Sequence, residues 1–428
     1  MKPTICPIGN GATLTAVRTD RFKNELFTVQ YVLPVTAETT QKYTLLAEVL
    51  PRGTEQYPTK ALFHRRLDDL YASTIAPFRH RTGDAQIWGL AADFLGARFV
   101  GGGEGILPQI VEMTAECLGR PYLPNGVFHE PYVESEKRHI RDVIRARIND
   151  PRTLARARCR ALLCPGEPYA LSLSGEEETI EELNAENLTA QWRELIATAV
   201  PNFFYVGNTP PEQVAERIKA AFSIPDGRFE RYPTIVRRQI GDPARKCEEM
   251  PFCQGQLTIG YRTDITVSHP LAAAMTVFNE IFGASPVSKL FLNVREKRGL
   301  CYRCGSLLDL YKGVMFVGAG MKAENREVTE AAIRAEFEAM TRGEIDDAEL
   351  NAAKRSLDNS YRQIYDSPVA LAAFTLHHAA AGSRESVEER RAAVAAVTRD
   401  NVAEAAARVR EGAVYFLKGT LAGGEVDE

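Results

Sequence analysis

Apolar positions recur along this chain with two different periods. From Glu25 to Leu33 the run Glu-Leu-Phe-Thr-Val-Gln-Tyr-Val-Leu, alternating and rich in β-branched residues, predicts a strand. Residues 40–51 predict a helix, with Thr39 or Thr40 as N-cap and Pro51 near its end. A second helix is expected over 59–71, with Leu62, Phe63, Leu67 and Leu70 on one face. Strands are expected near 85–100, helices over 106–119, 131–148 and 186–199, and a strand at 203–206. Between them, Gly101-Gly102-Gly103-Glu104-Gly105 reads as a flexible turn, because it has neither the Lys-Ser/Thr of a P-loop nor G-x-G-x-x-G spacing. The second half opens with a strand at 256–261 and a helix at 268–283. A strand at 314–318, helices near 324–342, 346–364, 368–381 and 399–409, and a strand at 413–418 follow.

The two halves repeat one another. Ala47-Glu48-Val49-Leu50, Lys60-Ala61-Leu62-Phe63 and Leu70-Tyr71-Ala72-Ser73 have counterparts in Asn279-Glu280-Ile281-Phe282, Lys289-Leu290-Phe291 and Leu300-Cys301-Tyr302. Glu136-Lys137-Arg138 leading to Asp150-Pro151 matches Ala353-Lys354-Arg355 leading to Asp366-Ser367-Pro368. Phe203-Phe204-Tyr205-Val206-Gly207-Asn208-Thr209 matches Tyr415-Phe416-Leu417-Lys418-Gly419-Thr420. Three anchors in register point to two copies of one fold. We expect domains at 1–222 and 248–428, joined by an extended linker at 223–247 rich in Pro and Arg (Arg228, Arg231, Arg237, Arg238 and Arg245). Those arginines read most simply as a solvated face. Strands mixed with helices, without steady βαβ alternation, predict an α+β class.

Composition narrows the picture. At 428 residues the chain exceeds one ordinary core. Apolar residues make up 45%, charged residues 25%, and the net charge is −4, so no nucleic-acid or anionic-membrane partner is expected. The first residues hold no long apolar run, and no stretch approaches the roughly 20 apolar residues of a membrane span; a cytoplasmic location is expected. Eight scattered cysteines fit reduced thiols better than a disulfide framework. Cys301 and Cys304 form a lone C-x-x-C. On a strand they would point to opposite faces, a poor chelating geometry.

Candidate chemistry centres on residues 290–302, Leu-Phe-Leu-Asn-Val-Arg-Glu-Lys-Arg-Gly-Leu-Cys-Tyr. Leu290, Phe291 and Val294 fall at helical spacing, Gly299 suits a helix stop, and a strand follows from Tyr302. Arg295 and Tyr302 then stand near one corner, where a guanidinium and a phenol could bind a peptide carbonyl or a developing oxyanion. The alternative is a surface arginine and a half-buried strand tyrosine.

This segment, with Lys289 before it, resembles the second-half signature of the pitrilysin/insulinase family of inverted-zincin peptidases, and the resemblance extends over nearly the whole sequence. It implies two similar domains, each a mainly antiparallel sheet packed on one side by helices. It also implies an Arg-Tyr element that reaches substrate at a zinc site. An inverted zincin needs His-x-x-Glu-His on a helix, two imidazoles to hold the metal and a carboxylate to activate its water. Counting back from Arg52-Gly53-Thr54, the matching positions are Thr44-Leu45-Leu46-Ala47-Glu48, and the third ligand matches Glu136. Both histidines and the general base are absent, so no metal is expected at Thr44, Ala47, Glu48 and Glu136. His64 with Asp68, and the adjacent His377 and His378, lack a third ligand at useful spacing, and there is no G-x-S-x-G elbow.

The resemblance therefore implies a zinc-less subunit of a heterodimeric metallopeptidase, inactive alone. Zinc would sit in a partner subunit of the same family, and Arg295 and Tyr302 would face the peptide substrate. A homodimer of the isolated protein stays open. The alternative is a peptide-binding or scaffold subunit with no role in hydrolysis.

Overall fold

A computed structural model describes residues 3–101, 105–227, 230–238 and 241–421. Gly102, Gly103 and Glu104 of the glycine run and Arg228 of the linker lie outside the described residues. The chain forms two compact units, and they cut across the contiguous halves. One comprises Met1–Arg145, Leu171–Pro233 and Asp366–Ala380; the other comprises Ala146–Ala170, Thr234–Tyr365 and Ala381–Glu428.

The first unit holds strands β1 (Thr4–Gly9), β2 (Ala12–Arg18), β3 (Asn24–Pro34), β4 (Thr74–Thr82), β5 (Ala85–Leu95) and β6 (Asn202–Gly207). They lie in the order β1-β2-β6-β3-β5-β4, antiparallel except for β2 with β6. The second holds β7 (Ala244–Met250), β8 (Gly255–Arg262), β9 (Arg303–Asp309), β10 (Val314–Met321) and β11 (Arg410–Gly419). Their order is β7-β11-β8-β10-β9, antiparallel except for β7 with β11. Five strands of each sheet thus share order and sense, and β1 is an addition of the first unit. The anchor Phe203–Gly207 and its partner Tyr415–Gly419 occupy equivalent strands, β6 and β11.

Helices α1 (Thr40–Val49), α2 (Lys60–Asp69), α3 (Leu107–Gly119) and α4 (Glu130–Ala146) precede α5 (Pro151–Leu163). Then come α6 (Glu177–Glu181), α7 (Ala185–Thr198), α8 (Pro211–Ala221), α9 (Ala272–Asn279) and α10 (Arg326–Thr341). The last are α11 (Asp347–Gln363), α12 (Pro368–Ala380), α13 (Val387–Ala396) and α14 (Arg399–Ala406). In each unit most helices cover one face of the sheet. Phe27, Val29, Tyr31, Trp88 and Leu90 meet Leu45, Leu46 and Val49 of α1 in the first core. Leu257, Ile259, Met315 and Val317 meet Phe278, Phe282 and Ile333 in the second. Each such side chain contributes about 1.5–3 kcal/mol on burial.

One further helix lies on each opposite face, and it comes from the other repeat. Helix α5 packs on β8 and β11, with Ala155, Cys159 and Leu163 against Phe316, Ala413 and Tyr415. Helix α12 packs on the equivalent strands β3 and β6. Asp150 starts α5 by accepting the Thr153 N–H at 3.0 Å, with Pro151 at the first helical position. The buried positions of α5 are four residues apart, a stripe its many arginines obscure.

Several expectations need correction. Leu62 is 42% exposed; the buried stripe of α2 is Phe63, Leu67 and Leu70. The expected linker ends early, because Ala244 onward forms β7. That strand, Ala-Arg-Lys-Cys-Glu-Glu-Met, buries almost nothing and is held by parallel backbone pairing to β11. Strands β1, β2 and β4 and helices α5, α6, α8 and α13 carry weaker patterns and were not expected individually.

Candidate functional site

The positions matching a zinc motif sit on or beside α1, and they are closed by side chains of the protein itself. Thr44 is buried, and its hydroxyl donates to the Thr40 carbonyl at 3.2 Å and the Leu173 carbonyl at 2.5 Å. Arg79 of β4 donates to Thr44 Oγ1 at 2.5 Å and lies 3.9 Å from Glu48, one helical turn on. Burial pushes the Arg79 guanidinium down, and Glu48 offsets part of that. Ala47 is fully buried in the core. Glu136 of α4 is held by Arg52 at 2.9 Å, and the Arg52 guanidinium lies over the Tyr132 ring at 5.1 Å. Gly53, next to Arg52, is required by space: a Cβ there would meet the Pro58 carbonyl oxygen at 2.5 Å.

These residues do not fit zinc. The donor set is a hydroxyl and two carboxylates, each already engaged, with no imidazole or thiolate. Two fixed cations, Arg79 and Arg52, stand where a divalent ion would need electron pairs. Among the described residues no group of three or more His, Cys, Asp or Glu side chains is arranged to hold a metal ion. His64 is exposed on α2, and His377 pairs with Thr82 Oγ1 at 2.7 Å.

The segment Leu290–Lys297 is a π-helix, and Glu280–Ala284 is another. Such wide turns are uncommon and cluster at functional sites. Leu290 and Val294 are buried as the spacing predicts, whereas Phe291 is only half-buried. Arg295 lies 4.7 Å over the Phe291 ring. The stop at Gly299 has φ +59; its N–H donates to the Arg295 carbonyl at 3.0 Å and that of Leu300 to Val294 at 3.3 Å. The backbone then turns back, and the Tyr302 N–H donates to the Gly320 carbonyl at 2.9 Å. β9 begins at Arg303, one residue later than expected.

Arg295 and Tyr302 line one cavity of about 540 Å³ in the second unit. Tyr302 is 53% exposed. The cavity also takes in Arg152, Arg156 and Arg303. Sequence reasoning missed these three. The available signal was the pair Arg152 and Arg156, one turn apart directly after the helix start Asp150-Pro151.

The C-x-x-C also differs from expectation. Cys301 precedes the strand, so the backbone turns between the two cysteines instead of placing them on opposite faces. Their thiols hydrogen-bond, and both are buried. That bond from Cys304 holds the Cys301 thiol below its usual value against the effect of burial, with help from the Arg295 charge.

With this geometry in hand, comparison with known proteins is informative. The family described as "Peptidase M16 inactive domain" matches residues 182–357. The sequence is 28% identical over 410 residues, 96% of each protein, to "Probable inactive metalloprotease YmfF" of Bacillus subtilis (strain 168). Its fold resembles a conserved protein of Enterococcus faecalis V583, with TM-score 0.89 and 24% identity, covering 99% of this protein and all of that one. It also resembles a peptidase M16 inactive domain from Pseudomonas fluorescens, with TM-score 0.79 and 18% identity, covering 99% of this protein and all of that one.

Proposed function

We propose that this chain, a homologue of the M16 (pitrilysin/insulinase) metallopeptidases, is the zinc-less subunit of a two-subunit peptidase. In this reading it forms part of the wall of a peptide chamber, and the metal belongs to a family partner. Arg295 holds a substrate carbonyl, and the Tyr302 hydroxyl donates to the oxyanion that develops when the peptide bond is attacked. The observation that supports it is the contrast between the two corners. The zinc-motif positions are engaged by Arg79 and Arg52, while Arg295 and Tyr302 face an open cavity.

The test is reconstitution. The purified protein, its zinc-bearing partner and the mixture are assayed on a quenched peptide. Cleavage is expected only from the mixture, and Tyr302→Phe should lower its kcat by about two to three orders of magnitude with KM little changed. A mixture no faster than the zinc-bearing subunit alone overturns the proposal in favour of a scaffold or peptide-binding subunit. Unchanged turnover with Tyr302→Phe removes the role given to that hydroxyl. Among the described residues no helix is long and apolar enough to cross a membrane, and the assay begins without detergent.

A further inference from the structure

The second face of the second unit's sheet is covered by α5 only along part of its length. Beneath α5 lie Val314 and Phe316 of β10. Side chains two apart on a strand share a face, so the same face of β10 continues as Gly318 and Gly320. Both of those line the cavity beside Thr258 of β8. A Cβ added to Gly318 would meet nothing within 4 Å. The floor is therefore open at Gly318, while the Gln256 side chain lies against Gly320, and the cavity's volume of about 540 Å³ falls within the range of small-ligand sites.

The walls carry charge of one sign. Arg152 and Arg156 come from the first turns of α5, Arg295 from the π-helix, and Arg303 from the start of β9. Among the described residues no aspartate or glutamate lines the cavity. The side chains of Arg152, Arg156 and Arg303 make no ion pair or hydrogen bond among the described residues, and the Arg295 side chain has Glu296 at 3.5 Å and the Phe291 ring beneath it. Asp150, whose charge acts on Arg156 and Arg303, is engaged as the cap of α5. Elsewhere in the same unit, fold-supporting cations are closed off: Arg262 and Lys312 lie 2.6 and 2.7 Å from buried Glu167. Four guanidinium groups around one concavity, with Asp150 and Glu296 the nearby opposite charges, repel each other and raise the local concentration of anions.

We infer that this cavity recognises acidic peptide segments, through the carboxylates of their Asp or Glu side chains. The guanidinium fork matches a carboxylate geometrically, and the Tyr302 hydroxyl adds a donor. Within the two-subunit reading, which this inference deepens and on which it rests for the choice of a peptide, the cavity selects acidic substrates.

Binding of dye-labelled peptides to the full-length protein, read by fluorescence anisotropy, tests this without any hydrolysis. A Glu-containing peptide should bind about tenfold or more tightly than the same peptide with Gln, and the difference should shrink with added salt. Arg156→Ala and Arg303→Ala should each weaken it by about tenfold. Gly318→Leu, which fills the cavity and leaves every arginine in place, should abolish it. Unchanged melting temperatures certify the fold of each variant. Equal affinity for the Glu and Gln peptides overturns the inference. So does inorganic phosphate that competes as well as the peptide at equal concentration, which would make the site one for small oxyanions. Acid-selective binding with no cleavage by the reconstituted pair would leave this inference standing and sink the two-subunit function. Cleavage indifferent to peptide charge would do the reverse.

Discussion

The corner around α1 lies in the first copy of a repeated fold and the corner around Arg295 in the second, and they treat charge in opposite ways. In the first, Arg79 and Arg52 reach in from β4 and the end of α1 and close on Glu48, Thr44 and Glu136. In the second, Arg152, Arg156, Arg295 and Arg303 surround an open space with no lining carboxylate among the described residues. A charge matched within its own fold stabilises that fold. A charge left unmatched in a concavity adds little to the fold and is available to a ligand. The fold thus closes the corner that matches the zinc motif with its own side chains and leaves a cavity at the corner of Arg295 and Tyr302.

That comparison can be broken in four places. The largest effect should come from Glu167→Gln, which takes from the buried Arg262 and Lys312 the carboxylate they share. A loss of about 3–5 kcal/mol in denaturant unfolding is expected. A loss under about 1 kcal/mol would show that closed and open charges in this unit are not distinct.

Next in size is a pH effect in the first unit. Burial, then the charges of His80 and His378, pushes His377 down to about 4. Its folded value lies below the unfolded one of about 6.5, so the unfolded chain binds the extra proton between those values. Stability should be complete above pH ~6.5 and fall by up to about 3 kcal/mol as pH drops toward 4. His377→Gln should flatten that slope in melting temperatures recorded across the window. An unchanged slope would assign it to other groups.

A smaller effect is expected from Arg52→Met, which strands the mostly buried Glu136: about 1–3 kcal/mol. The smallest should come from the open corner. Tyr302→Phe and Arg156→Ala are each expected to shift stability by no more than about 0.5 kcal/mol while changing ligand binding or turnover. If Arg156→Ala cost as much as Arg52→Met, the contrast between the corners would disappear.

The sequence alone determined the repeat, the α+β class and the absence of the metal-binding residues, because these depend on local identity and order. Strong periodic runs such as Glu25–Leu33, and the stop at Gly299, predict their elements correctly because burial and backbone conformation there are decided within a few residues. Tertiary structure decided the rest. β7 exists through backbone pairing to β11, a strand far away in sequence, so its side chains carry no strand pattern. The placement of α5 and α12 on each other's repeat depends on which sheet face is left uncovered, which no local pattern encodes. The same holds for the charges: Arg79 opposite Thr44 and Glu48, and Arg152 beside Arg303, meet only because strands and helices distant in sequence pack together, and only that packing separates a satisfied arginine from an available one.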